Sequence, residues 1–174
     1  MTAEYIKSVV KTVPDYPKPG ILFYDISSLM VNAEIWQETI NQFSTLVKKY
    51  NPEVLAGIES RGFIFASTIG YKLGCNVVMI RKKGKLPGKT IHHFYKLEYG
   101  TDCLEIQKRE TLKNKNVILI DDLLATGGTA GAAVELLQKV KANVSVFLTL
   151  IELTNLKGRN KIKVKTDSLI SFDE

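Results

Sequence analysis

The sequence predicts an α/β fold in which helices flank a mostly parallel central sheet. Two observations lead to this prediction. Short apolar runs suited to buried parallel strands alternate with segments of helical periodicity, and the clearest of these runs is followed by a Gly-rich turn that opens a helix. Strand, helix and strand in this order form the units of a parallel sheet covered on both faces. The 174 residues contain no evident linker, so we expect a single domain over 1–174.

The N-terminal part is predicted to begin with a short helix over residues 3–11. The segment 13–20 follows it and holds three prolines within six residues. Proline lacks an amide N–H and clashes with the preceding helical turn, so this segment cannot lie inside a helix. We expect a rigid, extended piece of surface here.

The middle of the chain carries alternating helix and strand patterns. Residues 33–50 have apolar positions at helical spacing, and Asn51-Pro52 ends that helix. An apolar run at 54–58 predicts a buried strand, which leads into a helix near 63–73. A second buried strand is predicted at 77–80.

The C-terminal half continues the same pattern. Residues 94–99 and 103–107 predict two short strands of a hairpin. Residues 117–120 form the clearest apolar run, and the Gly-rich stretch 125–129 opens a helix after it. A further buried strand is predicted at 144–151.

The net charge of +6, from 24 Lys and Arg against 18 Asp and Glu, predicts an anionic partner. That partner could be nucleic acid, a membrane surface or a phosphate-rich small molecule. No apolar run approaches 18 residues and no signal sequence is evident, so we expect no membrane association and a cytoplasmic location. The two cysteines and two histidines form no zinc-ligand pattern.

Two nine-residue stretches, 81–89 and 157–165, each carry five positive charges. The first follows a predicted strand and contains Gly and Pro, which favours a mobile flap that closes on anionic groups. In the second, Lys161, Lys163 and Lys165 alternate with apolar residues, as on the solvent face of an edge strand. A nucleic-acid surface would interleave basic with aromatic residues, which neither stretch does.

Residues 117–129 combine a buried strand, the pair Asp121-Asp122 and a helix start at Thr126-Gly-Gly-Thr129. Glycines let backbone N–H groups approach a phosphate, and the helix N-terminus adds positive potential. The carboxylates can accept hydrogen bonds from sugar hydroxyls or hold a hydrated magnesium ion. An acidic strand-to-helix turn without a ligand would also contain Asp and Gly, but the nonapeptide as a whole favours phosphate binding.

The stretch 117–129 resembles the phosphoribosyl-pyrophosphate motif of the type I phosphoribosyltransferases. Other segments, in that family's order, resemble its adenine-using members over nearly the whole chain: 13–21, 59–63, 80–88, 95–100 and 151–159. The resemblance implies that family's fold, with a small N-terminal hood that binds the base (1–32) and a flexible flap (81–100). It further implies transfer of the phosphoribosyl group from 5-phosphoribosyl-1-pyrophosphate to adenine, giving AMP and pyrophosphate, with magnesium and in a homodimer.

The resemblance also assigns a role to individual residues. Glu98 is the implied general acid or base. Phosphoribose is assigned to Asp121, Asp122, Ala125, Thr126, Gly127, Gly128 and Thr129. Pyrophosphate is assigned to Ser60, Arg61, Arg81, Lys82, Lys85 and Tyr99, with a non-proline cis peptide in the loop at Ser60 and with Arg81 reaching a neighbouring subunit's site. Adenine is assigned to Phe23, Tyr24 and Leu153.

One departure from the family stands at Tyr24, where an arginine is common. It puts a side-chain contact in doubt and leaves open a different purine base. Two other classes of protein also remain open. A purine-sensing regulator of the same fold would lack chemistry, although 174 residues leave little room for a DNA-binding module. A basic nucleic-acid binder would show salt-dependent binding to DNA or RNA.

Overall fold

The computed structural model describes residues 2–97 and 100–173, which form two sheets and five α-helices. The strands are β1 (Lys11–Val13), β2 (Phe23–Asp25), β3 (Val54–Ile58), β4 (Asn76–Lys82), β5 (Thr90–Leu97), β6 (Gly100–Gln107), β7 (Asn116–Leu124), β8 (Asn143–Leu153) and β9 (Lys165–Phe172). The helices are α1 (Ala3–Val9), α2 (Ser27–Met30), α3 (Ala33–Lys48), α4 (Gly62–Leu73) and α5 (Gly128–Lys139). Short 3₁₀ turns lie at Glu110–Leu112, Thr154–Leu156 and Gly158–Lys161.

The large sheet has the strand order β5-β6-β4-β3-β7-β8-β9. Strands β4, β3, β7, β8 and β9 are parallel, and the β5–β6 hairpin joins β4 in antiparallel orientation. The chain leaves β3 through α4 toward one side, and leaves β7 through α5 toward the other. A crevice therefore opens at the carboxyl ends of β3 and β7, which is where open α/β sheets bind ligands.

Two hydrophobic cores cover the two faces of this sheet. Neighbouring residues of β3 and β7 alternate between them: Leu55 and Ile118 face the core that α3 and α4 complete, whereas Ala56 and Leu119 face the core under α5. Because the residues that face either core are apolar, the sequences of these strands are continuous apolar runs. The predicted α/β fold with a mostly parallel sheet is confirmed.

The helices of one face are tied to each other by aromatic packing. Asn32 caps α3, because its Oδ1 accepts hydrogen bonds from the amides of Glu34 and Ile35 at 3.0 and 3.1 Å. Phe65 of α4 packs against Trp36 and Phe43 of α3, with ring centroids 5.4 and 5.6 Å apart. No described helix is long and apolar enough to cross a membrane.

The prediction of a buried strand at 77–80 was wrong in one respect. The strand exists as β4, but Val77 and Met79 are 41% and 45% exposed. The described pairing of β4 with β6 covers only Arg81 and Lys82, so the first half of β4 borders an open groove. Apolar composition predicted the strand correctly and its burial incorrectly.

The second basic stretch also differs from the prediction. Lys161 ends a 3₁₀ turn and Lys163 lies in the connection after it; only Lys165 belongs to the outer strand, β9. The edge strand predicted at 161–165 is therefore present as β9, but it begins only at Lys165. The short β1 and β2 are not predicted from the sequence, because neither is a continuous apolar run. Strands β1 and β2 pair with each other and form a small N-terminal sheet.

Candidate active site

A cleft of about 290 Å³ opens at the crevice between β3 and β7. Three parts of the chain line it: the loop after β3, the end of β7 with the start of α5, and Lys82 of β4. All seven residues assigned to phosphoribose and three of the six assigned to pyrophosphate meet here: Ser60, Arg61, Lys82, Asp121, Asp122, Ala125, Thr126, Gly127, Gly128 and Thr129.

Residues 125–129, the phosphate loop, take their shape from close backbone packing. Gly127 has φ +77°, and a Cβ there would lie 2.1 Å from the carbonyl oxygen of Gly158. A Cβ on Gly158 would lie 2.1 Å from the carbonyl oxygen of Ala125. Both positions therefore require glycine. The helix α5 begins at Gly128, so its first amide N–H groups lack partners within the helix and suit a phosphate.

The segment that carries Gly158 is held by an ion pair between a buried carboxylate and a half-exposed arginine. Arg159 donates to both oxygens of Glu152 at 2.5 Å, and the Glu152 carboxylate also accepts from Ser168. Glu152 lies buried near the end of β8. The outer strands of the sheet thus support the phosphate loop from behind.

The acidic pair Asp121 and Asp122 lies near the end of β7. Asp122 is 4% exposed, and its Oδ2 lies 2.8 Å from Arg61 Nε. Burial raises the pKa of both carboxyl groups. The charge of Asp122 raises the pKa of Asp121 further, whereas the Arg61 guanidinium offsets part of the rise at Asp122.

Arg61 reaches Asp122 because α4 begins directly against β7. A Cβ at Gly62 would lie 2.8 Å from the carbonyl oxygen of Ile120, so the two backbones touch there. The Arg61 guanidinium also lies 4.9 Å from the ring centroid of Phe23. One side chain thus connects the loop after β3, the acidic pair and the N-terminal sheet.

The peptide bond between Glu59 and Ser60 is cis, as the resemblance implied. Glu59 accepts hydrogen bonds from Arg81 at 3.0 Å, from Lys85 Nζ at 2.8 Å and from the amide of Lys82 at 2.8 Å. Burial by itself would raise the pKa of Glu59, but these donors outweigh it and lower the pKa to about 2. Glu59 therefore stays ionised and holds two of the predicted pyrophosphate ligands.

Residues 81–89, the basic segment, are fixed by two further carboxylates. Glu105 is buried and accepts from the amides of Lys85 and Leu86 at 2.8 and 2.7 Å. The Lys82 ammonium pairs with Asp102. Burial would lower the pKa of Lys82, but its hydrogen bonds to Asp102 and Tyr95 raise it. The segment predicted as a mobile flap is thus tied to acidic side chains at three points in this structure.

The three residues assigned to adenine are not part of the cleft lining, although Phe23 lies against Arg61, which is. Phe23 is half-buried on β2, with the Tyr16 ring against its edge at 5.0 Å. Leu153 ends β8 and packs against the hydrophobic core that α3 and α4 complete. The Tyr24 ring is 3% exposed and packs on Phe172 at 4.6 Å, so any contact of Tyr24 with a base would come from its backbone.

Glu98 and Tyr99 lie outside the described residues. Four side chains that organise the site have no separate role predicted from the sequence: Glu59, Tyr95, Asp102 and Glu105. A signal existed for Asp102 and Glu105, which are acidic residues on a predicted hairpin next to a basic stretch. Their partners are about 20 residues away in the chain, which spacing alone does not reveal.

The comparisons with known proteins agree with this geometry. The sequence profile of the phosphoribosyl transferase domain matches residues 25–172. The adenine phosphoribosyltransferase of Rhodospirillum rubrum is 53% identical over 168 residues, which cover 97% of this chain and 98% of that protein. The enzyme of that name from Acidiphilium cryptum is 48% identical over 97% of this chain and 99% of that protein.

Solved structures with the same name are also similar. Adenine phosphoribosyltransferase from Thermoanaerobacter pseudethanolicus superposes with a TM-score of 0.94 at 40% identity, covering 98% of this chain and all of that one. The Saccharomyces cerevisiae enzyme, in complex with an imino-altritol bisphosphate and adenine, superposes with a TM-score of 0.92 at 37% identity. This match covers 97% of this chain and 98% of that one. By profile, sequence and structure, the chain belongs to the phosphoribosyltransferase family and, within it, to the adenine phosphoribosyltransferases.

Proposed function

We propose that this chain transfers the phosphoribosyl group of 5-phosphoribosyl-1-pyrophosphate to adenine, giving AMP and pyrophosphate. One observation carries the proposal: a single cleft joins a backbone-made phosphate loop, an acidic pair and a set of cations. In that order, these groups can bind a phosphate, the free hydroxyls of a sugar and a second, larger anionic group. The relatives' name supports the identity of the base.

The phosphate loop binds the 5′-phosphate through the first amides of α5 and the hydroxyls of Thr126 and Thr129. Asp121 and Asp122, next to it on β7, accept hydrogen bonds from the ribose hydroxyls. The sugar is thereby fixed between two parts of one strand-to-helix turn. Adenine held in a constant position can then attack the anomeric carbon.

The cations act on the leaving group. As the bond to pyrophosphate breaks, the sugar gains oxocarbenium character and negative charge grows on the departing oxygens. Arg61 and Lys82 line the cleft, and Arg81 and Lys85 stand behind Glu59. Positive groups at this place stabilise the developing charge, and closure of the basic segment would exclude water.

The donor set fits magnesium held mainly by the substrate. Within residues 2–97 and 100–173, no three His, Cys, Asp or Glu side chains form a metal-binding group. The cleft offers two carboxylates, Asp121 and Asp122, and oxygen ligands of this kind suit a magnesium ion that keeps several waters. When bound, magnesium supplies charge neutralisation at the pyrophosphate.

Glu98 is proposed as the group that handles the proton displaced from adenine. We expect Glu98→Gln to lower kcat about 100-fold, because general acid or base catalysis contributes at least this factor. The affinity for AMP should change much less. Steady-state rates and AMP titrations separate the two effects, and an unchanged kcat would remove Glu98 from the mechanism.

The proposed assembly is a homodimer, and the surface beside Arg81 supports it. Tyr71 of α4 is 92% exposed, and Val77 and Met79 of β4 are also exposed on the same face of the sheet. Met79 and Arg81 are two residues apart on that strand, so a second copy docked here would lie close to Arg81. Sedimentation should give a mass of two chains, and Tyr71→Glu should shift it toward one.

The proposed compartment is the cytoplasm, in keeping with the free thiols of Cys75 and Cys103.

The test of function is direct. The protein is mixed with 5-phosphoribosyl-1-pyrophosphate, magnesium and either adenine, hypoxanthine or guanine, and nucleotide formation is followed. We expect AMP from adenine. Product from another base alone would change the assigned substrate, and binding without any product would favour the regulator.

A further inference from the structure

Tyr95 is a buried residue that places a single polar atom beside the cleft. Its ring lies in the core between α5 and the sheet, and the side chain as a whole is 9% exposed. On the hairpin it stands directly opposite Asp102, so the two side chains share one face. The ring is therefore fixed by packing, and only its hydroxyl remains to interact with the site.

That hydroxyl has three polar neighbours from three different elements. It lies 3.1 Å from Lys82 Nζ on β4, 3.2 Å from Asp102 Oδ2 on β6 and 3.3 Å from Thr129 Oγ1 on α5. Lys82 and Thr129 both line the proposed anion site. One oxygen atom therefore connects the basic segment with the phosphate loop.

The direction of each hydrogen bond follows from the chemistry of the groups. An ammonium only donates and a carboxylate only accepts, whereas a phenol has one hydrogen and two lone pairs. Burial by itself would raise the pKa of Asp102, but the hydrogen bonds from Lys82, from its neighbouring amide and from Tyr95, together with the Lys82 charge, lower it, so the carboxylate stays ionised. Tyr95 thus donates to Asp102 and accepts from Lys82 and Thr129. The Thr129 hydrogen then points toward Tyr95.

We propose that Tyr95 is a positioning residue that sets the Thr129 hydroxyl for a phosphate and couples it to Lys82. When a phosphate oxygen enters the loop, Thr129 turns its hydrogen to that oxygen and accepts the Tyr95 hydrogen in return. Asp102 then keeps Lys82 as its partner. The exchange needs only the rotation of two hydroxyl groups, and no buried oxygen loses all of its partners.

This inference rests on the proposed function only in taking residues 125–129 as the phosphate site. The test uses Tyr95→Phe, which keeps the packed ring and removes the hydroxyl. Tyr5→Phe, at a tyrosine that is 48% exposed on α1, is the matched control. Ribose 5-phosphate is the probe, titrated by calorimetry, because it can occupy the phosphate loop without turnover.

We expect Tyr95→Phe to weaken ribose 5-phosphate binding about three- to tenfold, which is the range for one lost hydrogen bond. The KM for 5-phosphoribosyl-1-pyrophosphate should rise by a similar factor, while the KM for adenine and the Tm stay near the wild-type values. A merely structural role would instead lower the Tm and disturb both substrates. Tyr5→Phe should leave all four quantities unchanged.

Thr129→Val provides a second route to the same answer. If Tyr95 acts through Thr129, the double variant should bind ribose 5-phosphate about as weakly as Thr129→Val alone. If the losses of ribose 5-phosphate affinity in the two single variants simply multiplied in the double variant, the proposed coupling would be overturned. Wild-type affinity for ribose 5-phosphate in Tyr95→Phe would overturn it as well. A wild-type protein that does not bind ribose 5-phosphate would overturn the proposed function itself, and the role of Tyr95 with it.

Discussion

The phosphate loop and the basic segment are both assigned to phosphate groups, yet they are built from different chemistry. The phosphate loop, residues 125–129, has no charged side chain and is shaped by backbone contact between Gly127 and Gly158. The basic segment, residues 81–89, carries five positive charges, and three carboxylates hold it in this structure. A site made of backbone needs no counter-charge, whereas a site made of charged side chains does.

This difference separates two ways of binding an anion. At the phosphate loop, a ligand meets amide groups that are already aligned, so little rearrangement is required. At the basic segment, an anionic ligand competes with Glu59 and Asp102 for the same cations. The carboxylates hold the cations in place but also reduce the net positive charge there. Affinity at the first site depends on shape, and at the second on exchange of partners.

The largest expected effect compares two glycines with positive φ, one in each region. Gly127→Ala forces a Cβ to within 2.1 Å of the Gly158 carbonyl, which must push the loop apart. We expect kcat/KM for 5-phosphoribosyl-1-pyrophosphate to fall about 100-fold, as displacements of about 1 Å do elsewhere. Gly84 has φ +85°, but a Cβ there would meet no other atom within 4 Å. Gly84→Ala should therefore cost only the local backbone strain of about 1–2 kcal/mol. Equal losses in steady-state assays would break the comparison.

The next effect concerns the acidic pair. Asp121→Asn should lower turnover about tenfold to 100-fold, because one charged hydrogen-bond acceptor for the ribose is lost. The same change should stabilise the fold. The raised pKa of Asp121 means that ionisation is easier in the unfolded chain, so the contribution of Asp121 to wild-type stability declines as pH rises above about 4.

Urea unfolding at several pH values checks this prediction. The stability gain of Asp121→Asn over the wild type should be small near pH 4 and larger at pH 7. A variant that is less stable than the wild type at pH 7 would show that the Asp121 charge supports the fold, contrary to the proposed trade of stability for ribose binding.

The smallest effect concerns Glu59, which has the opposite pKa shift. Its pKa falls from 4.5 to about 2, so it contributes stability that is present above pH 4.5 and is lost as pH falls toward 2. The advantage of the wild type over Glu59→Gln should therefore shrink by about 1–2 kcal/mol between pH 6 and pH 3.

Glu53→Gln is the matched control for that measurement. Glu53 also pairs with a lysine, Lys115, at 2.8 Å, but both side chains are about half exposed and the pair lies far from the cleft. Its pH dependence in urea unfolding should be weaker than that of Glu59→Gln. If the two variants showed the same pH dependence of the unfolding free energy, burial beside the basic segment would add nothing to the stability that the Glu59 ion pairs contribute.

The same contrast explains which features the sequence could predict. The phosphate loop is one contiguous stretch after a buried strand, so local pattern reached Asp121, Asp122 and residues 125–129 directly. The partners of the basic segment come from elsewhere in the chain: Glu59 is 22 residues from Arg81, and Asp102 is 20 residues from Lys82. Such pairs depend on strand order, which a motif does not contain.

Burial was the other feature that pattern did not predict. Val77 and Met79 are apolar, yet they border an open groove because β4 pairs with β6 only at its C-terminal end. Tyr24 stands where the family commonly has arginine, and its ring packs on Phe172 of β9, a strand that extends well beyond the edge strand predicted at 161–165. Side-chain direction at these positions follows from the tertiary arrangement rather than from composition.

The net charge of +6 also gains a physical meaning from this comparison. Around the cleft, Arg61, Arg81, Lys82 and Lys85 each have a carboxylate partner, so the excess of positive charge lies mainly elsewhere. If the site binds an anion as proposed, it selects that anion through the arrangement of its ion pairs rather than through surplus charge. High net charge alone is therefore a poor guide to the substrate.

The central claim, transfer of phosphoribose to adenine within this cleft, is tested most directly by following phosphorus. The protein is mixed with 5-phosphoribosyl-1-pyrophosphate, magnesium and adenine, and the reaction is monitored by ³¹P NMR. We predict that free pyrophosphate and the phosphate of AMP appear together in equal amounts. Pyrophosphate without AMP, which is hydrolysis rather than transfer, or an unchanged spectrum would contradict the claim.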